Sequence, residues 1–312
     1  MIAILLDHTE LYYTGINIID YNVYVVNALV IFYVLSGYLM YKKEGINIFQ
    51  KFKSIAYHLL LPYLIFSIVL AVPKAWAHGN SVDIKNQLLQ IITGQSSWFV
   101  ASLCLSELIF TLTMWITRGK NICLFTTGII GFCISIYLST GNQPYLWQLD
   151  NSLQALLFLC LGYFYHKYEQ VFNTINHTSY LSFLFILLVI IKIYEYMNGV
   201  NMLIWYIHIN NYPVFLIDIL ICSLFMIHFC KLLPPCKWIE WTGAHSLVYY
   251  FLCGGVPLLT TKFFEKINFN YVGNYQHVIV AFIIVYLITT LIVWLVYKYL
   301  PFTVGRKYET RK

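Results

Sequence analysis

The chain of 312 residues is 60% hydrophobic and 18% aromatic, with only 10% charged residues and a mean hydropathy of +0.70. A soluble domain carries roughly 25% charged residues, so this composition excludes a water-soluble globular protein and leaves an all-α, polytopic membrane protein of one domain, 1–312. The net charge of +6 calls for no nucleic-acid partner, because topology alone places lysines and arginines in the loops of a membrane protein. Eight cysteines stand singly in apolar segments without a CxxC pair. They read as packing residues rather than as metal ligands or a disulfide framework. The start lacks a basic n-region and a small-residue cleavage site, so a removable signal peptide is not expected.

Apolar runs bounded by polar, Gly or Pro residues predict ten helices, near 1–17, 22–41, 54–73, 97–117, 121–139, 150–167, 179–197, 213–232, 246–264 and 275–299. The second is bounded by Lys42-Lys43-Glu44, and Ser36-Gly37 interrupts its bulky side chains, so a helix or a ligand can approach the backbone there. With these ten spans, fourteen of the nineteen Lys and Arg fall on the side of both termini. The positive-inside rule then makes both termini cytoplasmic, with Arg118 and Lys237 inside and Asp83 and Asn142 outside. The outer connection from Lys74 to Ser96, with His78, Gly79 and Asp83, is long enough for a lid or lateral helix. The one from Asn198 to Tyr212 is rich in Trp, Tyr and Asn and suits the membrane interface.

Ionisable residues within apolar segments are costly and mark candidate sites. His8 lies in the first segment with Asp7 and Glu10 beside it. An imidazole with an ordinary pKa near 6.5 suits a general base at neutral pH. Glu107 falls near the middle of the fourth helix, where it pairs with a basic side chain, stays neutral, or takes part in chemistry. Asp150 precedes Asn-Ser-Leu and reads first as an N-cap. Asp218 and His228, ten apart, share a loose face of the eighth helix and read as packing. Lys51 and His58, seven apart, share a face at the basic end of the third helix, with Lys53 nearby.

These residues carry a resemblance to the acyltransferase 3 family of membrane O-acyltransferases, in particular its fucose 4-O-acetylase and exopolysaccharide acetyltransferase branch. His8 resembles the family's first-helix histidine and Phe32-Tyr33-Val34-Leu35-Ser36-Gly37 its FFxxSG signature. Leu60-Leu61-Pro62-Tyr63, Trp98-Phe99 with Glu107, Leu149-Asp150 before Leu161-Gly162-Tyr163, and Gly243 with Ser246-Leu247 follow in the family's order. Three features depart from the pattern. The arginine eleven residues before the histidine would lie before Met1, the basic pair ahead of Pro-Tyr falls on Ile55 and His58, and Cys253 stands where a histidine is common.

The resemblance implies an inner-membrane, multi-pass O-acetyltransferase that moves an acetyl group from acetyl-CoA to a saccharide or lipid-linked saccharide hydroxyl, without a metal. It implies His8 and Glu107 as catalytic residues, and Lys51, Lys53, His58, Ser36 and Gly37 at the coenzyme A site. Glu10, Trp98 and Asp150 would meet the acceptor. The alternative, from a different class, is a polysaccharide or small-solute transporter with the buried His, Asp and Glu as an intramembrane proton relay.

Overall fold

The computed structural model describes residues 1–306 except 44, 46, 78–82, 142 and 176. Glu44, His78, Gly79, Asn142 and the tail cations Lys307, Arg311 and Lys312 therefore lie outside the described residues. In chain order the helices are α1 (Ile2–Thr14), α2 (Tyr21–Met40), α3 (Ile48–Ile55), α4 (Leu61–Ala77), α5 (Ile84–Ile92), α6 (Trp98–Ile116), α7 (Asn121–Ser139) and α8 (Leu149–Lys167). They continue with α9 (Glu169–Thr174), α10 (Thr178–Met197), α11 (Tyr212–Leu232), α12 (Lys237–Ala244), α13 (Ser246–Leu252), α14 (Gly255–Lys266) and α15 (Tyr275–Tyr299). Between α10 and α11 the chain forms a hairpin of β1 (Met202–Leu203) and β2 (His208–Ile209), paired Met202 to Ile209 and Leu203 to His208.

Each of the ten predicted segments contains a helix, but they do not all span alike. Among the described residues, seven helical runs are long and apolar enough to cross a bilayer, and the pair α13 and α14, bent by 49°, makes an eighth if it crosses as one span. The protein is an all-α, multi-pass membrane protein. The two remaining segments fall short for different reasons. Helix α1 ends after 13 residues at Gly15, whose φ of 80° forms a left-handed cap, and at about 1.5 Å per residue it is too short for a core of about 30 Å. Helix α8 has the length, with 19 residues, but buries Asp150, Asn151, Ser152 and Gln154 in its first turns.

Three local features depart from the sequence reading. The third segment starts earlier, at Ile48, and Ala56–Leu60 is a π-helical turn between α3 and α4. The predicted ninth helix breaks around Cys253 and Gly254, where Gly254-Gly255 weakens helix propagation. The Asn198 to Tyr212 connection is partly buried: Val200, Met202, Ile204, Ile207 and Ile209 are core residues, and the Met202 N–H donates to Asn22 Oδ1 at 2.8 Å.

The chain divides into two compact units, one made of Met1–Tyr21, Ala56–Val100 and the part from Pro235 onward, the other of Asn22–Ile55 and Ala101–Pro234. The second unit is built around α8. Gly37 of α2 and Gly162 of α8 form a reciprocal contact: a Cβ on Gly37 would collide with the Leu159 carbonyl, and one on Gly162 with the Val34 carbonyl. On α7, a Cβ at Gly131 would stand 2.9 Å from Leu153 O and one at Gly128 2.8 Å from Cys160 Sγ. Small residues thus bring three backbones together, as packing in membranes favours. Met40, Phe110, Leu124, Leu156 and Leu159 fill the space around them, and the Cys160 thiol donates to Leu124 O at 3.1 Å.

In the first unit α1 packs on α14 and α15. Tyr13 is buried with Phe264, Val278 and Ala281, and its hydroxyl donates to Phe269 O at 3.3 Å. Helix α5, capped by Asp83 Oδ1 on the Asn86 N–H at 3.1 Å, is tied to α4 where the Tyr63 hydroxyl donates to Ile91 O at 2.7 Å.

The glycine contacts predict a sharp asymmetry in tolerance. Gly162→Leu and Gly37→Leu should each lose at least about 3 kcal/mol, because backbone rather than a mobile side chain occupies the space. Gly243→Ala, whose Cβ meets nothing within 4 Å, should be neutral or slightly stabilising. Thermal unfolding of detergent-extracted protein measures all three.

Candidate functional site

In the second unit, three side chains singled out by sequence meet. The Ser36 hydroxyl donates to Glu107 Oε1 at 2.5 Å, and Lys51 Nζ lies 2.8 Å from Glu107 Oε2. The Glu107 carboxyl is thus bracketed by a lysine on one side and a hydroxyl on the other, which answers how an acid is accommodated within α6. Lys51, with 22% of its side chain exposed, is already neutralised, and a phosphate would have to compete with Glu107 for it. Lys53 is exposed on the last turn of α3. Gly37 has its open face filled by α8, so a helix takes the close approach that the Ser-Gly pair offers.

The first unit holds His8, Glu10, His58 and Trp98. His8 is half-buried on α1, with Tyr12 stacked one turn on at 6.2 Å between ring centroids. The Tyr12 hydroxyl reaches the break between α13 and α14, 4.0 Å from where a Cβ on Gly254 would stand. Irregular backbone at membrane depth is tolerated only where it is buried in protein or lines a cavity. The two carboxyls of α1 serve the fold. Asp7 Oδ1 accepts from Asn17 Nδ2 at 2.8 Å, while Glu10 accepts from the Ile19 N–H on Oε1 and the Tyr275 hydroxyl on Oε2, each at 2.8 Å. Glu10 as placed therefore binds the 15–19 turn and α15 rather than presenting itself to an acceptor.

Lys51 belongs to the second unit and His58 to the first. His58 sits inside the π-helical turn Ala56–Leu60, where the α-helical repeat assumed by the seven-residue spacing is interrupted. His58 is exposed, and its Nδ1 lies 3.4 Å from Val304 O in the 3₁₀ turn Pro301–Val304. Gly305 follows with a φ of 70° and so close an approach that a Cβ would collide with the Tyr57 carbonyl. Sequence reasoning missed what comes next: the Arg306 guanidinium stands 4.8 Å over the Tyr297 ring, which itself meets His245 edge-on at 4.2 Å. These residues stand 187 to 248 positions from His58, so no spacing signals that they gather on one unit. Trp98 is half-buried at the start of α6, edge-on to Phe99 at 5.7 Å.

Asp150 is not the N-cap of α8. Gln148 holds that position, and Asp150 lies inside the first turn, 4% exposed. Asp218 is buried, as expected of a packing residue, but its partner is not His228. Lys192 Nζ lies 2.9 Å from Asp218 Oδ2 and 3.0 Å from Glu195 Oε2, and Asn27 Nδ2 donates to Asp218 Oδ2 at 2.9 Å. This polar link joins α2, α10 and α11 and was illegible because its members are far apart in sequence.

Against known proteins, the family model described as an acyltransferase domain, that of acyltransferase 3, matches residues 1–298. No curated protein and no solved structure matches the chain.

The Lys51–Glu107 pair predicts non-additive mutations. Lys51→Met leaves a buried carboxylate without its cation and Glu107→Leu leaves the cation without its carboxylate, so the double variant should recover roughly 1 to 3 kcal/mol relative to the sum of the singles. Melting of the four proteins closes the cycle, and additive losses would remove the pair as a structural link.

Proposed function

The chain belongs to the acyltransferase 3 family, and from that premise we propose that this membrane acyltransferase moves an acetyl group from acetyl-CoA to a hydroxyl of an exported or envelope saccharide. The family match over residues 1–298 carries the proposal and favours it over transport. The reading sets the protein in the inner membrane, and the fourteen-to-five bias of Lys and Arg supports both termini being cytoplasmic, so that the donor arrives from the side on which coenzyme A is made.

His8 is the proposed base. It takes the proton of the acceptor hydroxyl as the oxygen attacks the thioester carbonyl, and the tetrahedral intermediate collapses with loss of the coenzyme A thiolate, which takes up the proton. Tyr12, stacked on His8, orients the ring. Glu107 acts through its ion pair with Lys51 and its bond to Ser36, holding the Ser-Gly segment in place. For the donor phosphates we propose His58 and Arg306, because the C-terminal turn packs on His58 and supplies a permanent guanidinium close in sequence to that contact. Arg suits phosphate through its fork of donors.

His8→Ala and His8→Gln should each lose at least about a hundredfold in transfer, the lower range for removing general-base catalysis. The amide of Gln keeps hydrogen bonding but cannot accept the proton. The measurement is thiol release from acetyl-CoA by membranes, per inserted molecule. Near-native rates in either variant would make His8 a packing residue and overturn the mechanism.

A further inference from the structure

The first turns of α8 bury an unusual set of polar side chains. Gln148, Asp150, Asn151 and Gln154 are 1%, 4%, 2% and 2% exposed. Among the described residues, Gln148 Nε2, Asp150 Oδ1, Asn151 Oδ1 and Gln154 Nε2 have no hydrogen-bond partner. The side-chain bond from Asn151 Nδ2 to Gln148 Oε1 is long, at 3.4 Å, and the Asp150 carboxyl otherwise meets the backbone N–H groups of Asp150 and Asn151. Buried polar groups are normally paired, so four orphans on a single helix end imply groups that a partner completes. On the helix, Asp150, Asn151 and Gln154 lie within an arc of about 100°, on the side away from Leu153 and Leu156, which face α7.

A second observation comes from the backbone. Trp147 and Gln148 have φ/ψ of 54°/29° and 53°/46°, two successive non-glycine residues in the left-handed region. That conformation is strained for any residue with a Cβ, and such strain collects at functional sites. Here Gln148 is buried at the helix N-terminus, and Trp147, the residue before it, is half-buried. The Ser152 hydroxyl, donating to Gln148 O at 2.7 Å, holds the turn.

We propose that Trp147 with Gln148, Asp150, Asn151 and Gln154 forms the binding subsite for the acceptor saccharide. The amides and carboxylate offer both donors and acceptors, as a polyol demands, and an indole face covers the apolar face of a sugar ring. The four orphan atoms are closed off in this structure, so the ligand reaches them when the strained turn at Trp147 and Gln148 relaxes. The inference rests on the saccharide reading above and adds the residues that recognise the acceptor.

The test uses membranes containing the full chain, [14C]acetyl-CoA as donor and the deproteinised glycan fraction of the producing cells as acceptor. Gln154→Met keeps the side-chain length and removes an unpaired polar group, so the melting temperature should stay level or rise. The acceptor concentration for half-maximal labelling should rise at least tenfold, while that for acetyl-CoA stays within twofold. Trp147→Leu should show the same split, and Trp147→Phe, which keeps a ring, should stay within threefold of the parent. Unchanged acceptor dependence in Gln154→Met and Trp147→Leu would overturn the subsite, as would a parallel loss for both substrates with a lowered melting temperature. A parent protein that uses acetyl-CoA but labels no glycan would instead overturn the saccharide reading and the subsite with it.

Discussion

The reciprocal contact of Gly37 and Gly162 sets what the second unit can do. Each glycine faces backbone of the other helix, at Leu159 and Val34 respectively, so α2 and α8 touch along their main chains. Side chains are excluded from that seam, which fixes the rotation of α2 about its own axis. Ser36, the neighbour of Gly37, then points about 100° away and meets Glu107 of α6. One dipeptide thereby satisfies two helices by different means, van der Waals contact on one side and a charge-assisted hydrogen bond on the other.

Polar ties recur where apolar side chains give no directional preference. Without a hydrophobic drive to pair helices within lipid, specific hydrogen bonds and ion pairs choose the register. Lys51 with Glu107, and Lys192 with Asp218, Glu195 and Asn27, serve α3 to α6 and α2 to α10 to α11 in this way. Outside the spans, Glu169 receives the Lys231 ammonium at 2.7 Å and the Tyr38 hydroxyl at 2.9 Å. Partial burial raises its pKa, and the Lys231 and Tyr38 contacts outweigh that and hold the carboxyl below its ordinary range. The resulting stabilisation is full above the ordinary carboxylate range and is lost as pH falls through the lowered value.

Hydropathy made the helices legible because a bilayer imposes one length on every span: 121–139 and 275–299 coincide with α7 and α15. What it could not show are departures from uniform helix. The π turn after Ile55 lies in a stretch as apolar as its neighbours, the break around Cys253 is marked by the Gly254-Gly255 pair alone, and the left-handed pair at Trp147 and Gln148 is made of residues other than glycine, so no periodicity announces them. The site was legible as residue types, not as pairs. Glu107 invited a basic partner, but only packing of α3 on α6 selects Lys51. Asp150 looked like a cap because Asp commonly caps; the strained turn before it gives that place to Gln148 and draws Asp150 inside.

That displacement connects the seam to the polar end of α8. Four glycine contacts, at Gly37, Gly128, Gly131 and Gly162, clasp α8 along its length. The helix cannot slide or roll to bring its buried amides to water, since any such motion drives backbone into backbone. Each orphaned group costs about 1–3 kcal/mol when left unpaired, and apolar residues at 148, 151 and 154 would remove that cost without touching the glycine seam. A rigid helix that keeps unpaired donors and acceptors behind a strained turn at its N-terminal end suits recognition of a polar ligand, because only the turn has to move and no paired group has to be freed.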